Sequence, residues 1–257
     1  MLSMMKRIGI ILLAVILVVS VLSACSRNKP QPSESSSSAA SSQADVKATE
    51  KEATKAATEK ATDAPAEQIG TIDDYVETAK EKTVDFGDGN TNTLRIPAIL
   101  LGGSDAVNAN AEIMEQYGSV FDEGQGQSGI YSLDYEAALN DKVLSVVVNA
   151  KIDGGNTSGL CYCFDVLTKD LLDSKAVCDY AGYNYENEAE TLKANLVTYY
   201  EQKFSSLPQN DEMKEKTFSD SNLQSAVMYL DGSGKLMALT DIYAAVGGGH
   251  WVESIEA

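Results

Sequence analysis

Residues 131–152 read YSLDYEAALNDKVLSVVVNAKI. Tyr131, Leu133, Tyr135 and Ala137 alternate with Ser132, Asp134 and Glu136. Successive side chains of a strand point to opposite faces, so this pattern gives one buried and one wet face. Asn140-Asp141 is turn chemistry between two β-rich runs, which predicts a hairpin. The return strand, Val143 to Ile152, places Leu144, Val146, Val148, Ala150 and Ile152 on one face.

Working outward, Gly154-Gly155-Asn156 turns the chain into a third strand, with Leu160, Tyr162, Phe164 and Val166 on its core side and Cys161, Cys163 and Asp165 opposite. Thr168-Lys169-Asp170 closes it. Upstream, Leu94 to Ile99 alternates like an edge strand, the place where Pro97 is tolerated. Ser104 and Asp105 offer an N-cap, and Val107, Ala111, Met114, Gly118 and Phe121 recur at helical spacing, predicting a helix over 105–120. Ile72 to Thr83 fits either a short helix or the first strand of the domain. Downstream, Asp173 and Ser174 cap a short helix through Cys178. A longer helix follows, carrying Ala189, Leu192, Leu196, Tyr199 or Tyr200, and Phe204, with Pro208 after its end. A last hairpin runs through Ala226, Met228 and Leu230, turns at Asp231-Gly232-Ser233-Gly234, and returns through Leu236, Ala238, Thr240 and Ile242. The expected class is α+β, an antiparallel sheet built of hairpins with two main helices packed on one face.

The N-terminus has a different character. Lys6 and Arg7 precede a predominantly apolar run, Ile8 to Leu22, which ends in Ser23, Ala24 and Cys25. The run is about 15 residues, short of the ~20 that span a bilayer. A cysteine at its end resembles the lipobox of bacterial lipoproteins, which implies cleavage after Ala24 and a diacylglyceryl thioether on Cys25. Residues 1–24 are then signal peptide, and the mature chain is anchored to the cell membrane by lipid on Cys25 with its domain facing outward. Residues 25–67 are Ser, Ala, Thr, Lys and Glu-rich with few large apolar side chains, the composition of a solvated tether. Residues 68–257 are long enough for one domain with a core of its own.

Without residues 1–24 the chain holds 18 basic and 38 acidic residues, a net charge of −20. That charge disfavours nucleic acid and anionic membrane surfaces and favours a cationic protein or peptide. Three cysteines remain once Cys25 is lipidated. Cys161 and Cys163 share a strand face and do not readily bond each other. Cys178 is left to pair with either, or all three stay thiols. No metal or other cofactor is expected: C-x-C plus one remote cysteine and a single histidine falls short of a four-ligand site.

Several phrases resemble a known family. These are Leu94-Arg95-Ile96-Pro97, the helix VNANAEIMEQY, Tyr135, Gly154-Gly155, Tyr162-Cys163-Phe164-Asp165-Val166-Leu167-Thr168-Lys169, Tyr229-Leu230-Asp231-Gly232 and the segment from Tyr243 to Gly249. Together they resemble the extracytoplasmic domain of unknown function shared by the lysozyme-sensing anti-sigma factor RsiV and the N-terminal half of the peptidoglycan deacetylase PdaC. The resemblance covers 94–257. It implies a sensing or binding domain that meets lysozyme or cell-wall material. Where the family often has glycine–glycine–alanine–histidine, this chain has Gly154-Gly155-Asn156-Thr157. Anti-sigma action is not expected, because only a few residues precede the apolar run. Deacetylation is not expected either, since it needs a second domain with Asp and His ligands.

Direct signs of chemistry are few. His250 is the sole histidine, beside Trp251, the sole tryptophan, and reads as a surface residue of the terminal strand, since no nucleophile elbow accompanies it. Asp85, Asp88, Asn90 and Asn92 invite a calcium loop. Counting from Asp88, however, puts Thr93 and Ile99 where glycine and glutamate belong. Asp211, Glu212, Lys214, Glu215 and Lys216 read as a solvated face. No catalytic residue is assigned. The expectation is a non-enzymatic binding or sensing module, the alternative a peptidoglycan enzyme or accessory.

Overall fold

A computed structural model describes residues 68–86, 89–122, 129–152, 155–208, 210–246 and 249–257. Cys25 and Ala24, with the whole tether, lie outside the described residues, as do Asp88 and Gly154. A 3-10 turn at Ile72–Asp74 leads into β1 (Val76–Asp85) and β2 (Thr91–Ile99). Then come α1 (Ser104–Tyr117), a second 3-10 turn at Gly118–Phe121, β3 (Ile130–Asn140), β4 (Val143–Ile152) and β5 (Thr157–Asp165). The remainder is α2 (Ser174–Ala181), α3 (Tyr185–Lys203), α4 (Asp211–Thr217), α5 (Asp220–Ser225), β6 (Val227–Leu230), β7 (Leu236–Tyr243) and β8 (His250–Glu256).

The class is α+β with antiparallel pairing throughout. The hairpins make three sheets, β1-β2, β3-β4-β5 and β6-β7-β8. The expected β3–β4 hairpin forms around Asn140-Asp141, with Asn140 opposite Val143 and Leu133 opposite Ala150. Asp141 takes the left-handed conformation that short polar side chains tolerate in such turns. Of the two readings open for 72–83, the chain takes the strand. Val76 is buried and pairs with Ile99, and the ladder runs on to Asp85 opposite Thr91. Pro97 lies opposite Thr78, where the register slips, a site at which a missing N–H costs little.

Strand β4 has no wet face over its first six residues. Leu144, Val146, Val148 and Ala150 enter one hydrophobic cluster with Leu94, Ile96, Ile113, Tyr117, Leu133 and Phe164. Val143 and Val147 enter a second, with Cys163, Val177, Leu192, Leu196, Tyr200, Met228 and Ile242. The two main helices are divided accordingly: α1 belongs to the first cluster and α3 to the second. The β3-β4-β5 sheet is thus a wall between two cores, and a layer is present on each side of it.

Helix α1 forms where the sequence predicts it but turns a different stripe inward. Ala106, Ala109, Ile113 and Tyr117 are buried, whereas Val107 is 63% and Met114 38% exposed. Both stripes have helical spacing, and Asn110 decides between them. Its side chain accepts from Ile99 N at 2.8 Å and donates to Ile99 O at 2.9 Å, clamping the helix to the end of β2. Gly103 rather than Ser104 takes the cap position, at φ +119, which suits glycine. Helices α2 and α3 start on Asp173 and Asn184, whose side chains accept from Ala176 N and Asn187 N.

Among the described residues no helix is long and apolar enough to cross a membrane. The two α1 stripes separate in a stability measurement. Ile113→Ala lowers unfolding free energy by about 2–5 kcal/mol, while Val107→Ala changes it by about 0.5 kcal/mol or less, read from urea midpoints.

Candidate functional site

Sheet β3-β4-β5 turns its Cys161-Cys163 face toward β6-β7-β8, and Gly159 lies in close contact with β7. A Cβ there would lie 3.1 Å from Val148 O and 3.3 Å from Leu239 Cδ2. The cleft around this contact opens on two sides. On the β3 side Ser132, Asp134, Glu136, Lys151, Thr157 and Glu253 are among the residues lining a cavity of about 310 Å³. On the β5 side Glu112, Gly159, Cys161, Tyr162, Ser225 and Asp241 line part of one of about 260 Å³. Both volumes suit a side chain or a small polar ligand more than a drug-sized molecule.

Most polar groups in the first cavity are already engaged. Arg95 holds Asp134 through two hydrogen bonds, Nε to Oδ1 at 3.0 Å and Nη2 to Oδ2 at 2.8 Å. Glu253 accepts from Tyr199 at 2.7 Å and from the Trp251 indole at 3.2 Å. Burial, and then the Glu253 carboxylate, push the Tyr199 hydroxyl far above its usual range, so it stays a donor. In the second cavity Tyr162 donates to Glu112 at 2.9 Å, and burial followed by that carboxylate raises its hydroxyl as well. Asp241 carries no ion pair among the described residues.

The three cysteines are free thiols, so Cys178 is bonded to neither Cys161 nor Cys163 in this structure. Its Sγ lies 3.5 Å from Met228 Sδ, while Cys163 Sγ lies 3.5 Å from Met228 O. Burial raises the Cys178 thiol to about 11, and burial together with Cys163 raises that of Cys161. Neither is a ready nucleophile at neutral pH. His250 is exposed at the start of β8 and stacks on Tyr243, with ring centroids 5.4 Å apart. Asn92 donates its side-chain amide to Tyr131 O at 2.7 Å, which ties the start of β2 to the start of β3. Among the described residues no three His, Cys, Asp or Glu side chains cluster as a metal site. In α4, Lys214 pairs with Glu201 and Lys216 covers the Tyr243 ring, so that charged face is partly tied to its neighbours.

Sequence reasoning missed Asp165, which is fully buried. Its Oδ1 accepts from Leu167 N and Thr168 N, and its Oδ2 accepts from Tyr180 Oη at 2.9 Å and Lys142 Nζ at 3.0 Å. Lys142 also sits 4.0 Å from the Tyr180 ring centroid. The signal was the phrase Phe164-Asp165-Val166-Leu167-Thr168-Lys169, an aspartate at a strand end whose side chain bonds the amides two and three residues on. Burial acts to raise this carboxyl, but Lys142, the two amides and Tyr180 outweigh it and hold it below the usual carboxylate value. No known family model matches the chain, and no curated protein matches it.

A depressed folded-state value stabilises the fold above the unfolded carboxylate value near 3.9, and that contribution is lost as pH falls through the folded value. Asp165→Asn therefore costs about 2 kcal/mol at pH 7. The gap between wild type and variant narrows as pH falls below the unfolded carboxylate value, which urea unfolding at pH 7, 4 and 2.5 measures.

Proposed function

We propose that this chain is a bacterial lipoprotein, held at the cell membrane through lipid on Cys25, whose folded unit is a non-enzymatic binding or sensing module. Its partner is a cationic protein such as lysozyme, or cell-wall material. The distribution of charge carries this reading. Residues 68–257 hold 31 acidic against 12 basic residues, a net of −19, whereas 25–67 hold 7 against 6. The acidity therefore belongs to the folded unit and not to the tether. Arg95, Lys142, Lys175, Lys193, Lys203, Lys214 and Lys235 are each paired with a carboxylate within the unit, so the excess of 19 is carried by the remaining carboxylates. Such a surface speeds encounter with a cationic partner and repels polyanions. The likeness to the RsiV and PdaC domain supports the same partner class.

One observation favours the alternative, a peptidoglycan enzyme or accessory: Asp134, Glu136 and Glu253 line one cavity. Yet Asp134 and Glu253 are held by Arg95, Tyr199 and Trp251, which leaves Glu136 alone without such a partner among the described residues. A lysozyme column separates the readings. At low ionic strength it retains the protein, and retention falls as salt approaches physiological strength. Muropeptides incubated with the protein keep their masses. No retention at either salt, or altered masses, contradicts the proposal.

A further inference from the structure

Strand β5 is an edge of its sheet, and its two halves are treated differently. Cys163 O accepts from Leu172 N at 2.7 Å and Asp165 N donates to Asp170 O at 3.1 Å, so residues 170–172 cover the end of the edge. In an antiparallel strand, every second residue turns both its N–H and C=O the same way. Since Cys163 and Asp165 face outward, so do Cys161 and Gly159, while Leu160 and Tyr162 bond to β4. Among the described residues, no group takes the outward N–H or C=O of Gly159 or Cys161. Both residues are partly exposed and line the 260 Å³ cavity.

The other nearby edge is closed by side chains. On β6, Met228 N donates to Ser174 Oγ at 3.0 Å, Leu230 N donates to Ser145 Oγ at 3.2 Å, and Cys163 Sγ lies against Met228 O. Proteins close their edges because open ones recruit other strands. Here one edge is closed over three groups and the other is left open beside a groove. The open stretch is flanked by Glu112 on the face toward α1 and Asp241 on the face toward β7. No lysine or arginine pairs with either carboxylate among the described residues.

We infer that the free edge of β5 at Gly159 and Cys161 is a docking site for an extended, basic segment of a partner protein, added as a strand. Main-chain hydrogen bonds to Gly159 and Cys161 hold the segment. Its alternating side chains fall on the two faces, where Lys or Arg meets Glu112 or Asp241. A second copy of this chain is disfavoured as occupant by the net charge of −19 over residues 68–257. This inference rests on the binding-module reading and specifies where and how it binds.

The test titrates the full chain, purified in detergent, with three labelled decapeptides followed by anisotropy. They are an alternating Lys-Val peptide, the same peptide N-methylated at every second amide, and an alternating Glu-Val peptide. The first binds, N-methylation weakens it at least tenfold, and the Glu-Val peptide does not bind. Cys161→Pro removes the outward N–H without breaking a bond to β4 and weakens the Lys-Val peptide at least tenfold, whereas Cys161→Ala binds as wild type does. If Cys161→Pro fails to fold, the N-methylated pair on the wild-type chain still decides. Equal binding of the methylated and unmethylated peptides overturns the strand-addition inference, and continued lysozyme retention would then leave the binding-module reading standing. Failure to bind either lysozyme or peptide overturns both. Self-association abolished by Cys161→Pro overturns the choice of occupant.

Discussion

Burial of β4 on both faces is the constraint on which the rest of the structure depends. A strand with Leu144, Val146 and Val148 on one side and Val143 and Val147 on the other cannot lie at a surface. It needs a layer against each face: β1, β2 and α1 supply one, while α2, α3 and the β6-β7-β8 sheet supply the other. Ser145, buried between the two valines, is the polar exception. Its hydroxyl takes the Leu230 amide, so β6 is held against the central sheet by a directed bond as well as by apolar contact. The cleft between the two sheets, and with it the open edge of β5, follows from that arrangement.

Local patterns were readable from the sequence. The β3–β4 hairpin, the third strand, helix α3 and the last hairpin were legible because alternation, helical spacing and turn residues lie within a few positions of one another. Features set by distant partners were not. Ile72 to Thr83 is polar enough for a helix, and only Thr91–Ile99 across the ladder makes it a strand. The inward stripe of α1 depends on Asn110 reaching the backbone of Ile99, which no periodicity reveals.

The same distinction applies to the candidate site. The phrase from Tyr162 to Lys169, part of the resemblance to the sensor domain, is in structural terms a strand end locked by buried Asp165 with Lys142 and Tyr180. That explains why it reads as turn and core rather than as chemistry. The cysteines were readable as a trio on one strand face and one helix, but their bonding state depends on Met228 and Ser145, which are remote in sequence. The backbone groups of Gly159 and Cys161, unpartnered among the described residues, were invisible, because an open edge is defined by what does not pair with it. The acidity of the chain was plain from composition, whereas its confinement to the folded unit emerges only once the boundary near residue 68 is drawn.

Residue-resolved amide hydrogen exchange over 157–163, with and without lysozyme, tests the central claim most directly. In the free protein the amides of Gly159 and Cys161 exchange fast and those of Leu160 and Tyr162 slowly. With the cationic protein present, Gly159 and Cys161 become protected. Amides at 159 and 161 already slow in the free protein, or unchanged by a lysozyme that demonstrably binds, would contradict the account.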